Sequence, residues 1–143
     1  MKGPVRAAAT LALVTLLASC GWAGDDKAVR VPFAQIKQQI AEAHSNLKRA
    51  VDEGSLDRLP ALQRNFNAQL DAVSAQSSAM NLLDREHLLL NLATVRRCLT
   101  EIDRFAASGD VELVRAQVSQ LDPTMEEIAT LLDRADKIAT AKE

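Results

Sequence analysis

Two cysteines and two histidines are the side chains of this chain best suited to nucleophilic, redox or metal chemistry. Cys20 and Cys98 lie far apart, and neither belongs to a Cys-x-x-Cys pair. His44 and His87 could ligate haem iron or, with nearby carboxylates, a metal ion. The sequence has no Gly-x-Ser-x-Gly motif and no glycine-rich phosphate loop. These patterns predict no catalytic residues, and we expect that the protein is not an enzyme.

The amino-terminal segment has the organisation of a secretory signal peptide. Lys2 and Arg6 supply its positive charge, and the apolar run that follows ends at Ala18. This run is about a dozen residues long, whereas a membrane-spanning helix needs roughly 20. We therefore predict that residues 1–19 are a signal peptide that is absent from the mature protein.

The residues that end this segment are Leu17-Ala18-Ser19-Cys20, and they resemble the lipobox of bacterial lipoproteins. The resemblance implies cleavage between Ser19 and Cys20 and a diacylglycerol on the Cys20 thiol, with palmitate among the acyl chains. A cysteine with two or three chains is held in a membrane far more firmly than a singly acylated one. Gly21 stands where the inner-membrane retention signal of such lipoproteins has aspartate. The expected location is therefore the periplasm-facing inner leaflet of the outer membrane.

The charge balance argues against nucleic acid as a partner. The whole chain has 17 Lys and Arg against 19 Asp and Glu, a net charge of −2. Loss of residues 1–19 removes Lys2 and Arg6 but no acidic residue, which leaves 15 basic and 19 acidic side chains and a net charge of −4. The basic residues form no cluster, so the electrostatic footprint of a nucleic-acid-binding protein is missing.

The sequence after the predicted tether, residues 20–31, has helical periodicity almost throughout. Apolar residues recur at steps of three and four over residues 32–143, which places them on one side of each helix. Short connections force neighbouring helices to be antiparallel, so we predict an all-α, up-down-up-down four-helix bundle with coiled-coil-like seams. The four stripes are Phe33, Ile36, Ile40, Ala43, Leu47 and Val51; Leu59, Leu62, Phe66, Leu70, Val73 and Met80; Leu88, Leu92, Val95, Leu99, Ile102 and Ala106; and Val111, Val114, Val118, Leu121, Met125, Ile128, Leu132, Ala135 and Ala139.

Glycine and cap residues predict the helix ends. Gly54 and Gly109 should stop the first and third helices, and Asp110 should cap the fourth. Either Ser55 or Asp57 can cap the second helix, and Asp84 can cap the third. Pro123 lies inside the fourth stripe and predicts either a kink in a continuous helix, which we favour, or a break with Asp122 as cap.

The two histidines allow an alternative function. Haem or a metal held between His44 and His87 would make the bundle a carrier of a small ligand, haem or a metal ion. In an up-down bundle these histidines differ in depth by about two turns, which argues against a shared ligand plane. No cofactor or metal site is therefore expected, and Cys98, on the flank of the third stripe, is interpreted as a small buried apolar residue.

Several apolar side chains have no obvious position in the core. Leu90 lies nearly opposite the third stripe, and Leu131 and Ile138 lie off the fourth. Leu82, Leu83 and Leu89 add to this set. Contiguous exposed apolar residues mark partner sites, so Leu90, Leu131 and Ile138 are the predicted partner surface.

The layout of a lipobox followed by one small helical domain resembles the pilotin lipoproteins of type II secretion systems. Those proteins carry secretin subunits to the outer membrane by gripping a secretin segment between helices. The resemblance implies a non-catalytic protein-interaction module in envelope or secretion-system assembly, with a protein partner of unknown identity. The membrane is its second partner, through lipidated Cys20.

Overall fold

The computed structural model describes residues 31–141, which form helices joined by short turns and include no β-strand. The all-α prediction is confirmed for these residues. Residues 1–30, and with them the predicted signal peptide, Ser19, Cys20 and most of the tether, lie outside the described part. The helices are α1 (Phe33–Asp52), α2 (Leu59–Gln76), α3 (Leu82–Ala107), α4 (Val111–Ser119) and α5 (Leu121–Thr140), with 3-10 turns at Leu56–Arg58 and Ser77–Ala79.

The predicted stripes supply most of one shared core. Every residue of the first stripe is buried, and Leu47 has no exposed surface. The core is almost wholly aliphatic, with Phe66 as its fully buried aromatic ring. Helix α1 packs against α2 and α5, while α3 packs against α2, α4 and α5. Because every helix contributes to this one cluster, the described residues share a single core.

The two glycine stops are confirmed, and both have the same geometry. Gly54 has φ +71° and Gly109 has φ +74°, a left-handed conformation that a residue with a Cβ adopts only at a cost. After each glycine the next N–H reaches back five residues, from Ser55 to the Ala50 carbonyl (2.8 Å) and from Asp110 to the carbonyl of residue 105 (3.2 Å). These bonds satisfy helix-end carbonyls, as in the Schellman motif.

The helix caps agree with the sequence at one position and differ at two. Neither Ser55 nor Asp57 caps α2, because a 3-10 turn follows Ser55 and the helix begins at Leu59, after Arg58. Asp110 caps α4 as predicted, because its Oδ1 accepts a hydrogen bond from the Leu113 N–H (3.0 Å). Helix α3 begins at Leu82 rather than at Asp84, and its cap is Asn81. The Asn81 Oδ1 accepts from the Asp84 N–H (3.0 Å), so Asp84 lies inside the first turn. The prediction that Asp84 caps this helix is wrong, because the chain enters the helix three residues earlier and the Asn81 side chain takes that role.

The predicted fourth helix is divided near Pro123 into α4 and α5, so the single kinked helix that the sequence favours does not form. Gln120 alone separates them and keeps right-handed torsion angles (φ −68°, ψ −16°). Pro123 has no N–H to offer the carbonyl of Ser119, four residues earlier, and its ring crowds that carbonyl. Ser119 is accordingly the last residue of α4. The break with Asp122 as cap is not what forms, because Asp122 already lies within α5.

Candidate partner-binding surface

Four leucines lie on the outward side of α3 near its amino-terminal end. Leu82, Leu83 and Leu90 are 67–69% exposed, and Leu89 is 37% exposed. Their spacing of i, i+1, i+7 and i+8 places them together, centred on the side opposite the buried stripe when each residue turns the helix by about 100°. We call these four residues the leucine face. Apolar side chains on both sides of α3 cannot all be explained by its own core.

The structure places the three predicted surface residues in different environments. Leu90 is exposed and belongs to the leucine face, and Ile138 on α5 is 45% exposed. Leu131 is only 3% exposed and lies in the core, so its prediction as a surface residue is wrong. Helix α5 packs against both α1 and α3, and its buried side is therefore wider than a single stripe.

Leu90 and Leu131 nevertheless line the same open groove, between α3 and α5. Leu90 and His87 line it on α3, and Leu131, Glu127 and Arg134 line it on α5. Ile138 lies one helical turn beyond Arg134 on α5. The predicted residues are thus neighbours along one seam, and the exposed apolar area is concentrated on α3.

A polar cluster at the start of α3 fixes α5 beside this groove. The Asp84 side chain is 11% exposed and accepts a hydrogen bond from Asn81 Nδ2 (2.7 Å). Arg134 Nη1 lies 3.2 Å from Asp84 Oδ1. About two helical turns further along α3, Asn91 Nδ2 donates to Glu127 Oε2 (3.1 Å). The nearly buried Asp84 carboxylate therefore has both a hydrogen-bond donor and a positive charge beside it. Together with the Asn91–Glu127 hydrogen bond, the Asp84–Arg134 pair joins α3 to α5 along the groove.

His44 lies in a second groove, between α1 and α5. Its side chain is 12% exposed, and its Nε2 atom lies 3.3 Å from Asp122 Oδ1 without a satisfied hydrogen bond. Lys48 Nζ donates to both Asp122 oxygens at 2.9 Å and so occupies the carboxylate. The His44 ring lies 6.4 Å from the Phe66 ring, centroid to centroid. Burial lowers the pKa of His44; the nearby Asp122 carboxylate raises it, and the Lys48 ammonium lowers it further.

This lowered pKa predicts that His44 makes the fold less stable in mild acid. Below about pH 6.5 the unfolded chain binds a proton at His44 that the folded chain resists, so the free energy of unfolding falls as pH decreases through that window. His44→Gln should therefore lose less stability than the wild type between pH 7 and pH 5, in urea titrations at each pH. His87→Gln, at an exposed position, is the control and should keep the wild-type slope. Equal slopes for all three proteins would contradict the prediction.

The structure does not bring the two histidines together. His44 lines the groove between α1 and α5, whereas His87 lines the groove between α3 and α5. Within residues 31–141 there is no group of three or more His, Cys, Asp or Glu side chains that could hold a metal ion. Cys98 is buried, 7% exposed, and unpaired.

Comparisons with protein-family profiles, curated proteins and solved structures found no match for this chain. No helix in the described part is both long and apolar enough to cross a bilayer.

Proposed function

We propose that this protein is a lipid-anchored, periplasm-facing and non-catalytic protein-interaction module of the bacterial envelope, on the inner leaflet of the outer membrane. In this proposal Cys20 carries the lipid, and the helical domain presents the leucine face to a protein. The observation that carries it is the exposure of four leucines on the outward side of α3. The layout shared with pilotin lipoproteins supports a role in envelope or secretion-system assembly.

The proposed arrangement of the helices is the up-down-up-down bundle, with α4 and α5 together as its fourth member. Paired contacts support it, because residue numbers rise on one helix as they fall on its neighbour. Between α1 and α5, Lys37 pairs with Asp133 (2.5 Å) and Lys48 with Asp122 (2.9 Å). Between α2 and α3, Gln63 donates to the Leu99 carbonyl (3.3 Å) and Arg96 pairs with Asp71 (2.5 Å). The Asp84–Arg134 and Asn91–Glu127 contacts follow the same rule between α3 and α5.

The leucine face is large enough to contribute to binding. Complete burial of one leucine side chain is worth about 1.5–3 kcal/mol, so covering four partly exposed leucines contributes several kcal/mol before the costs of association. Single exposed leucines are ordinary on protein surfaces, but these four are contiguous. Leu113 on α4 is an example of the isolated kind, at 45% exposure.

The tether joins the domain near the leucine face. Val31 packs against the core, and with the Gln76 amide oriented to satisfy both its groups, Gln76 donates to the Val31 carbonyl (2.8 Å) and accepts from its N–H (3.2 Å). Gln76 ends α2, just before the connection to Leu82. The interval from Cys20 to Val31 reaches about 40 Å at most when extended. A lipid on Cys20 would thus hold the leucine face within a few nanometres of the bilayer.

Photo-crosslinking in intact envelopes tests the interaction surface. A benzophenone amino acid at Leu90 of the full chain should give a protein adduct, and the same residue at Ala68, an exposed position on α2, should not. Leu82→Gln with Leu89→Gln should remove the Leu90 adduct, because the neighbouring apolar contacts are lost. Adducts of equal yield at Leu90 and Ala68, no adduct at Leu90, or an adduct with lipid alone would overturn the proposed surface.

A further inference from the structure

The outward side of α3 also carries two opposite charges without partners. Glu86 and Arg97 are exposed, and neither forms an ion pair within residues 31–141. They are 11 residues apart, about three turns, and therefore lie on the same side of the helix, with Leu90 and Ala93 between them. At 1.5 Å per residue they are about 16 Å apart along the axis and cannot pair with each other.

The order of these residues along α3 makes two copies of the helix complementary when they pack in opposite directions. If a second α3 lay alongside in the parallel direction, Glu86 would face Glu86 and Arg97 would face Arg97. If it lay antiparallel with a two-fold axis between Asn91 and Leu92, Glu86 of each copy would face Arg97 of the other. Leu90 of each copy would face the small side chain of Ala93. Charge complementarity therefore selects the antiparallel arrangement.

Two threonines on α3 that this arrangement would cover already use their hydroxyl groups in hydrogen bonds within their own helix. Thr94 Oγ1 donates to the Leu90 carbonyl (3.2 Å), and Thr100 Oγ1 donates to the Arg96 carbonyl (3.1 Å). In the antiparallel register, Leu90 would also lie beside Thr94 of the second copy, and Leu82 would lie beside Thr100, because each pair occupies the same flank of the contact at nearly the same height. A leucine can cover these threonines without leaving a hydroxyl group unpaired, which avoids the cost of a buried unsatisfied polar atom.

We propose that the partner that covers the leucine face is a second copy of this chain, bound through antiparallel packing of α3 on α3. The inference rests on the proposed function in taking the leucine face as the interaction surface. A contact through one helix of each copy is small compared with a standard stable interface. Two lipid anchors in one bilayer raise the effective concentration of each copy for the other, which favours such a contact. With the two-fold axis normal to the bilayer, both tethers would approach the same membrane.

Cysteine crosslinking of the full chain in envelopes tests this arrangement. Ala93→Cys lies beside the proposed axis, and a short bis-maleimide should link two such chains into a dimer. Ala68→Cys, on the exposed side of α2, is the matched control, and the chain without an added cysteine controls for buried Cys98. We expect dimer from Ala93→Cys and only background from both controls.

Charge reversal then distinguishes dimers that form through the Glu86–Arg97 contacts from crosslinks between chains that collide at random. In the Ala93→Cys chain, Glu86→Arg or Arg97→Glu should each lower the dimer yield about fivefold or more, because each reversal places like charges together twice. The double reversal should restore the yield. All three changes are at exposed positions, so circular dichroism should be unchanged. Equal dimer yields with and without the charge reversals would overturn the second-copy assignment. A double reversal that dimerises as weakly as the single reversals would also overturn it. A Leu90 adduct with a different protein, without Ala93 dimers, would overturn this inference while leaving the proposed function intact.

Discussion

Replacing Leu131 by alanine is expected to lower the free energy of unfolding by about 2–5 kcal/mol. Leu131 is 3% exposed and belongs to the core where α5 meets α3. Its truncation removes buried apolar surface and leaves a cavity that the neighbouring helices fill only in part. Urea unfolding monitored by circular dichroism would measure the change.

Leu90→Ala is the matched control for this prediction. Leu90 lines the same groove but is 67% exposed, so its truncation should change the free energy of unfolding by about 0.5 kcal/mol or less. The difference between the two variants would separate core packing from surface exposure at one seam. A Leu131→Ala protein as stable as the Leu90→Ala protein would contradict the burial of Leu131.

Replacing Cys20 by alanine is expected to abolish lipid attachment. The proposed thioether needs a sulfur atom at position 20, so labelled palmitate should appear in the wild-type chain and fall to background in Cys20→Ala. The variant should also leave the outer-membrane fraction, because covalent lipid contributes about 0.8 kcal/mol per buried methylene to membrane binding. Metabolic labelling followed by membrane fractionation would measure both effects.

The control for this experiment is Cys98→Ala. Cys98 lies in the core of the helical domain and should not accept lipid, so this variant should incorporate palmitate at the wild-type level. Label that persists in Cys20→Ala, or a wild-type chain without label, would contradict the proposed anchor.

Local signals in the sequence were sufficient to locate several helix ends. A glycine at the end of an apolar stripe predicts a left-handed turn, and both Gly54 and Gly109 adopt one. Asp110 follows such a glycine and caps the next helix, as its short carboxylate allows. These outcomes depend on a few neighbouring residues, which is why periodicity and residue type could predict them.

The choice between two capping residues three positions apart could not be predicted in the same way. Asn81 and Asp84 are both suitable caps, and only the entry of the chain into α3 decides between them. The sequence favours a continuous helix with a kink at Pro123 over a break, whereas α4 ends at Ser119 and α5 begins at Leu121. The position of this division depends on the Ser119 carbonyl, to which Pro123 offers no N–H and which its ring crowds.

The candidate surface was predicted in part for a related reason. Leu90 lies opposite its own stripe, and one helix is enough to predict its exposure. Leu131 lies on the flank of its stripe, and whether a flank is buried depends on how many neighbours the helix has. That Glu86 and Arg97 form no ion pair within the part of the chain that the structure describes could be recognised only after the ion pairs of the surrounding helices were known.

The buried Cys98 thiol can serve as an internal probe of how often α3 separates from the helices packed against it. When Cys20 is blocked by lipid, Cys98 is the remaining thiol of the sequence, and it is 7% exposed within α3. A maleimide dye can reach this sulfur only when α3 separates from its neighbours. The rate of dye attachment therefore follows the local opening equilibrium of the domain, and with the proposed lipid on Cys20 it could be followed in a membrane.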